Sequence, residues 1–479
     1  MNEKNQNLRF HYRLLAAGSC GFMADALEIA LLTFISPCTG FNISELQRAT
    51  LITCVFVGQM IGSLVFGKLA DMHGRRSAYQ ISICLICFGG LLSALAPDYY
   101  SLLVLRTAVG AGVGGSVVPF DLMVEVFPRS QRGACMTLVG GCWGFGTIYV
   151  AAMAAWVLTQ DTWLGFIANW RLLIVLATLP CFAALAMLRW VPESPLWHVD
   201  VGDAPSAVVT VRRIARENGV VLPETDECYV ALFEAERARG ACAETKTGAW
   251  SDLVTDPAVR ALAPVLALNW FCEGASFYGM VVFQNDLVFG TTSGCTFDYF
   301  GIFAAALGAL LAVPPAMWMV EQAMLGRIGS GVLGYSVGGV LTIALFAVAT
   351  NSAQIALALL AQFAIGIAVS MTWVITPELY PTHMRCTALS VGYCIARVGA
   401  ISATYFVYSG LANFEIGLGV GLAMLCGAAS LLLVPVETRG KALGPQATAP
   451  SGADADSPPR ESYKPPLISH TPGDFAAVV

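Results

Sequence analysis

A chain of 479 residues that is 56% hydrophobic and only 12% charged lies outside the range of soluble globular domains, which carry about 25% charged residues. Its mean hydropathy of +0.67 predicts an all-α polytopic membrane protein, because backbone exposed to lipid must satisfy its own hydrogen bonds. The net charge of −6 is concentrated in loops and tail, and no catalytic triad, metal cluster or phosphate loop lies outside the apolar runs. Those features argue against an enzyme, a bound cofactor or metal, and a nucleic-acid partner.

Taken in order, residues 1–13 read as a short polar tail. Twelve apolar runs follow, at about 14–36, 49–66, 78–95, 102–126, 134–158, 170–191, 259–288, 297–319, 327–349, 354–377, 387–410 and 415–435, each near the ~20 residues that cross a bilayer. The first run contains Asp25 and Glu28; a cleavable signal peptide would not carry two acids there, so it reads as a retained span. The stretch 67–76, GKLADMHGRR, reads as a tight turn between spans 2 and 3. Its Lys68, Arg75 and Arg76 place it, and both termini, on the cytoplasmic side by the positive-inside rule. Asp98, Asp161 and Asp298 mark the opposite loops. Cys38 and Cys295 fall in those outer loops and allow a bridge; Asn42-Ile43-Ser44 is a glycosylation sequon in a short one. Cys84-x-x-Cys87 lies inside a span and reads as helix packing. Gly110-Ala111-Gly112-Val113-Gly114-Gly115 follows no strand, so close helix packing is preferred to a dinucleotide loop. Residues 192–258 form the one long polar segment, expected to make short amphipathic helices on the cytoplasmic surface, and 437–479 are rich in Pro, Ala, Ser and Asp and expected to be disordered.

The division is six spans and six, 14–191 and 259–436. It is supported by an internal repeat, E-x-aromatic-P-x-x-x-R, at Glu125…Arg132 and again at Glu378…Arg385, each at the inner end of a span. Parallel copies of this kind place a binding site between them near midplane. Asp71, Arg75, Arg76, Glu125, Arg132, Glu193, Glu378, Arg385 and Glu437 read as structural charges of a cytoplasmic gate. Asp121 reads as an inner gate or a wetted helix-end residue.

Ionisable groups at bilayer depth are costly and mark functional candidates. Gly18, Gly21, Asp25 and Glu28 share one face of span 1, with Asp25 about 16 Å from its inner end. Arg106 in span 4 can reach Glu28 or Asp25, either as a proton-coupling switch or as a permanent ion pair. Arg397, near the middle of span 11, reads as a substrate-binding cation or as the partner of an acid such as Glu273 in span 7. Trp143, Tyr278 and Tyr393 are candidate walls of a site for a flat substrate.

The stretch 67–76 resembles the intracellular signature G-x-L-x-D-x-x-G-R-R of the major facilitator superfamily. Met23-Ala24-Asp25-Ala26-Leu27-Glu28, Arg213-Ile214-Ala215-Arg216-Glu217-Asn218-Gly219, Pro377-Glu378-Leu379-Tyr380-Pro381-Thr382 and Ala396-Arg397-Val398-Gly399-Ala400 are similar to its synaptic-vesicle-protein-related branch. That resemblance, over about 14–440, implies a twelve-helix alternating-access transporter with two pseudo-symmetric halves. It also implies that Asp25 and Arg106 correspond to the proton-coupling acid–arginine pair of sugar porters, and that arginine at 397 goes with anionic substrates. Span 7 lacks the Q-Q-x-S-G of sugar porters. The stretch 320–327, VEQAMLGR, is a degraded second copy of the signature, without its Asp and second Arg, which predicts a weak latch in the second half. The expectation is a carrier of a small organic anion such as nicotinate, coupled to protons, monomeric, in the plasma membrane or a vesicle membrane. The alternatives are a sugar or organic cation carrier, or a vesicle membrane protein with a binding or trafficking role.

Overall fold

The computed structural model describes residues 9–127, 129–159, 168–243, 253, 259–290, 295–320, 322, 324–348, 350–380, 385–435 and 437. The two terminal segments, the Pro381-Thr382 end of the repeat, and the side chains of Asp121, Arg132 and Arg385 lie outside what it describes. Twelve helices are long and apolar enough to cross a membrane. Spans 1 to 6 are Arg9–Cys38, Glu45–His73, Arg75–Ser93, Tyr99–Phe120, Cys135–Leu158 and Asn169–Trp190. Spans 7 to 12 are Ala263–Val288, Tyr299–Met319, Gly326–Ala347, Asn351–Leu379, Thr387–Val407 and Asn413–Leu432.

Small residues set the closest approaches. A Cβ at Gly110 would collide with the Val55 carbonyl, and one at Gly114 with the Gln59 carbonyl, so the glycine run of span 4 packs backbone to backbone on span 2. In the second half, Gly274 of span 7 and Gly399 of span 11 meet the Ala396 and Phe271 carbonyls in the same way. Without lipid-excluded hydrophobicity to drive association, such contacts are how membrane helices gain packing energy. The halves meet where span 2 faces span 11, span 5 faces span 8 and span 1 faces span 7.

The signature stretch is not a loop. Span 2 stays helical through His73 and span 3 begins at Arg75, so Gly74 is the whole connection. Its φ of +95° is open to glycine and strained for other residues, and the Glu193 carboxylate fills the space where a Cβ would go. Glu193 accepts from the Arg76 N–H at 3.0 Å, capping span 3. The second half repeats this. Gly326 has φ +59°, and Glu437 accepts from the N–H groups of Arg327 and Ile328 at 3.0 Å each. Arg75 pairs with Asp71 at 3.1 Å and Glu125 at 3.3 Å. Arg327 forks onto both oxygens of Glu378 at 3.0 and 3.1 Å. The expectation of a weak second latch is therefore corrected. The second half has no counterpart of Asp71 or of the second arginine, but its Gly–Arg–Glu–Glu core is intact. Glu125 also takes a hydrogen bond from the Ser194 hydroxyl; burial pushes its carboxyl above the usual range, and Arg75 opposes that shift.

Other boundaries move for physical reasons. Span 1 is already helical at Arg9, because Phe10 and His11 are buried against the polar segment: the Phe10 N–H donates to Asn218 Oδ1 at 3.1 Å. That segment folds as helices Pro195–Asp200, Ala204–Glu217 and Asp226–Ala243, which share a small core including Val199, Ala207, Val208, Val211, Tyr229 and Phe233. Span 4 tightens into a 3-10 turn at Gly115–Val117 ahead of Pro119, and span 7 ends in a π-turn at Gln284–Val288. Cys38 and Cys295 are disulfide-bonded, Cα to Cα 4.9 Å, joining the end of span 1 to the segment before span 8.

The paired cap predicts that Gly74→Ala and Gly326→Ala each lower stability by about 1–3 kcal/mol, read as lower melting temperatures of the purified protein. Ala substitution at half-buried Gly67, inside span 2 with open space around it, should not lower the melt, since alanine is the better helix former.

Candidate functional site

The middle of the bundle holds five buried charged side chains: Asp25 and Glu28 of span 1, Arg106 of span 4, Glu273 of span 7 and Arg397 of span 11. Charge buried in hydrocarbon is tolerated when it is paired and hydrogen-bonded, and the pairing is specific. Arg106 Nη1 donates to Glu28 Oε2 at 2.5 Å. Arg397 Nη2 donates to Asp25 Oδ2 at 3.2 Å. The remaining acceptor sites of Asp25 take the Tyr278 hydroxyl and the Gln59 amide, both at 2.7 Å.

Of the two pairings, Arg106 with Glu28 is one the sequence allowed, and Arg397 with Asp25 is one it did not anticipate. Arg106 holds Glu28, not Asp25, because Glu28 lies one turn further toward the end of span 1 that faces the start of span 4. Arg397 holds an acid, but that acid is Asp25 of the opposite half rather than Glu273. Glu273 instead faces the Trp373 indole within the field of Arg397.

Aromatic rings enclose Arg397. Its guanidinium lies 4.1 Å from the Tyr393 ring centre, 4.5 Å from that of Tyr278 and 5.8 Å from that of Phe56, so the cation is held by ring quadrupoles as well as by a carboxylate. Trp143 of span 5 packs its ring 4.6 Å from Phe277 and 6.3 Å from Tyr278. Among the described residues, the donors of this buried region without a hydrogen-bond partner include Nε of Arg397, Nε1 of Trp143, the Tyr393 hydroxyl, and Nε and Nη2 of Arg106. Toward the Arg9 end, Trp373 packs on Trp270, Phe120 and Phe22 at 5.1, 5.6 and 5.7 Å, joining both halves. Toward the other end, the Tyr405 hydroxyl meets Thr50 at 3.3 Å and Thr53 at 3.4 Å. The Asp25–Arg397 pair lies between these two seams.

Sequence reasoning missed Gln59 and Phe56. The signal was available for Gln59: an amide in the apolar run 49–66, wholly buried here, needs a partner. Phe56 carried no signal, since a phenylalanine in a membrane span is ordinarily packing. Of the residues read from the sequence as a gate, those whose side chains are described, Asp71, Arg75, Arg76, Glu125, Glu193, Glu378 and Glu437, lie elsewhere, in the two capped corners already described. Among the described residues no group of three or more His, Cys, Asp or Glu side chains is arranged to hold a metal.

A twelve-span bundle of two similar halves, with a buried ion pair joining them across the seam, has the architecture of a membrane carrier. The chain belongs to the Major Facilitator Superfamily, whose family model matches residues 17–404, and it is a transporter of that family. Similar proteins include the putative transporter svop-1 of Caenorhabditis elegans, 29% identical over 90% of this chain and 84% of that one. The synaptic vesicle 2-related protein of Rattus norvegicus is 30% identical over 91% and 80%. These place the chain in the synaptic-vesicle-protein-related branch. An organic cation/carnitine transporter 7 of Arabidopsis thaliana is 26% identical over 82% of this chain and 84% of that one. Among solved structures, the proton:xylose symporter XylE bound to a bromodeoxyglucose superposes with a TM-score of 0.73, at 18% identity, over 91% of this chain and 98% of that one. At that identity the likeness concerns the fold.

Removing one partner of a buried pair strands the other charge, which costs about 3–5 kcal/mol. Arg106→Ala is therefore expected to destabilise the purified protein by that amount, and Arg106→Met combined with Glu28→Leu to recover most of it, both read from denaturant or thermal melts.

Proposed function

We propose that this transporter carries a small organic anion by alternating access and couples its movement to protons. Segments 14–191 and 259–436 would be the rocking halves. The central segment 192–258 and both termini (1–13 and 437–479) would lie on the cytoplasmic side, where the basic loops cluster. The observation that carries the reading is Arg397: fully buried, boxed by Tyr278, Tyr393 and Phe56, and, among the described residues, ion-paired with a carboxylate from the other half.

The coupling follows from charge arithmetic. A buried guanidinium deprived of its carboxylate costs several kcal/mol, so Arg397 must exchange one anion for another. If Asp25 takes up a proton, its hold on Arg397 weakens, and a substrate carboxylate can accept from Arg397 Nη2 and from the unpartnered Nε. Trp143 Nε1 supplies another donor, and Tyr278 and Tyr393 offer faces on which a flat ring can stack. Nicotinate or a similar aromatic carboxylate has the matching chemistry. Glu28 and Arg106 form a second acid–arginine pair, which would either relay the proton or hold span 1 against span 4. The corner residues Asp71, Arg75, Arg76, Glu125, Glu193, Glu378 and Glu437, with Arg132 and Arg385, would form the cytoplasmic gate.

One observation favours a second reading. The central region holds three acids against two arginines, and an excess acid suits an organic cation, with Glu273 as its counter-ion. The relative named for organic cations and carnitine is consistent with that class.

The test is ligand-dependent melting of the purified protein against carboxylates, amines and sugars, followed by uptake into proteoliposomes. Nicotinate-like carboxylates should raise the melting temperature with concentration. Arg397→Ala should weaken that response roughly ten- to hundred-fold, the loss of a charge-assisted hydrogen bond. Asp25→Asn, fixed in the neutral form, should still bind the carboxylate while its uptake ceases to follow an imposed pH gradient. Stabilisation by amines alone, abolished in Glu273→Gln, would replace the anion reading with the cation one.

A further inference from the structure

Three guanidinium groups gather where span 1 begins and span 6 ends. Arg189 stacks over the Trp190 ring, 4.5 Å from its centre, in the last turn of span 6. Arg213, on the helix Ala204–Glu217, donates from Nη2 to the Trp190 carbonyl at 3.0 Å and from Nε to Glu217 Oε1 at 3.2 Å. Arg13, in the second turn of span 1, donates to the other oxygen of Glu217 at 3.2 Å. The stretch Arg213…Asn218 thus clamps the start of span 1 to the end of span 6. Among the described residues, Glu217 is the one carboxylate these three cations contact, so the cluster carries a net charge of about +2.

The cluster is open and placed at the membrane boundary. The Arg13 side chain is 53% exposed and that of Arg213 44%, Arg189 is exposed, and Trp190 is 44% exposed. A half-exposed tryptophan at the end of a span is the side chain of a headgroup-level interface. Each guanidinium has five N–H donors, and Arg189 makes no hydrogen bond within the described residues. The unspent donors form planar forks suited to phosphate oxygens.

We propose that Arg13, Arg189 and Arg213, with Trp190, form a site for the headgroup of an anionic phospholipid. The phosphate accepts from Arg189 and from the free edges of Arg13 and Arg213, and an acyl chain runs beside the Trp190 ring. A zwitterionic lipid brings its own cation back to the cluster and leaves the excess charge unbalanced, so the site discriminates by net headgroup charge. It is independent of what the central site carries.

The test is melting of the full-length purified protein in neutral detergent with added phosphatidylglycerol, phosphatidylcholine or inorganic phosphate. Phosphatidylglycerol should raise the melting temperature to a plateau, while phosphatidylcholine and inorganic phosphate should not. Arg189→Gln with Arg213→Gln should raise the half-saturating lipid concentration roughly thirty-fold, at about a factor of five per arginine. Because Arg213 also braces the clamp, Arg189→Gln alone provides the folded control and should raise it about five-fold; Arg189→Lys should restore most of the response. Arg260→Gln, at another exposed cation beside the start of span 7, should change nothing. No response to phosphatidylglycerol, an equal response to phosphatidylcholine or to phosphate alone, or an equal loss in Arg260→Gln would each overturn the site.

Discussion

The arrangement of this protein depends on one buried ion pair. Asp25 and Arg397 stand on different halves of the bundle, 3.2 Å apart, and neither is more than 2% exposed. A carboxylate and a guanidinium at that depth hold each other in place because separation without replacement strands both charges. The surroundings are fitted to that need. Span 4 approaches span 2 through glycines that set the backbone beside Gln59, and Gln59 donates to Asp25. Span 7 approaches span 11 in the same way, which sets Tyr278 against both members of the pair. The close helix contacts and the polar network are therefore parts of one construction.

The corners of the two halves show how a repeat preserves function-bearing geometry while its sequence drifts. In each, a glycine of positive φ joins two spans, a glutamate from beyond the sixth helix of the half caps the helix that follows, and an arginine reaches the glutamate at the inner end of the fourth. These networks brace each half internally. The contacts between the halves add, to the Asp25–Arg397 pair, rings packed around Trp373, hydroxyl contacts at Tyr405, and the disulfide from Cys38 to Cys295. Stiff halves joined by a few separable contacts are what rigid-body rocking requires, and the disulfide keeps the end of span 1 with the second half whichever way the rest moves.

Much of this was legible in the residues. The twelve spans follow from apolar runs of bilayer length, and Gly110, Gly112 and Gly114 announced close packing. The signature around Asp71, Arg75 and Arg76 identified the family. Asp25, Glu28, Arg106, Glu273 and Arg397 were found because charge inside a span has few explanations. What could not be read was the pairing. Which acid an arginine takes depends on the rotation and depth of helices far apart in sequence, and a shift of one turn along span 1 exchanges Glu28 for Asp25. The second-half latch was misjudged because the motif was read as a string. The parts that matter are Gly326, Arg327, Glu378 and Glu437, and only the first two lie within the string.

The central claim is that the Asp25–Arg397 pair holds the halves together and yields when Asp25 is neutral. The most direct measurement is the distance between spin labels at exposed Leu46, at the start of span 2, and exposed Leu411, beyond span 11, by pulsed electron paramagnetic resonance in nanodiscs. The account predicts one narrow distribution for the otherwise native chain at neutral pH, and a second, longer population in Asp25→Asn that acidification of the native chain also produces. An unchanged single distribution in Asp25→Asn, with the labelled protein folded and active, would contradict it.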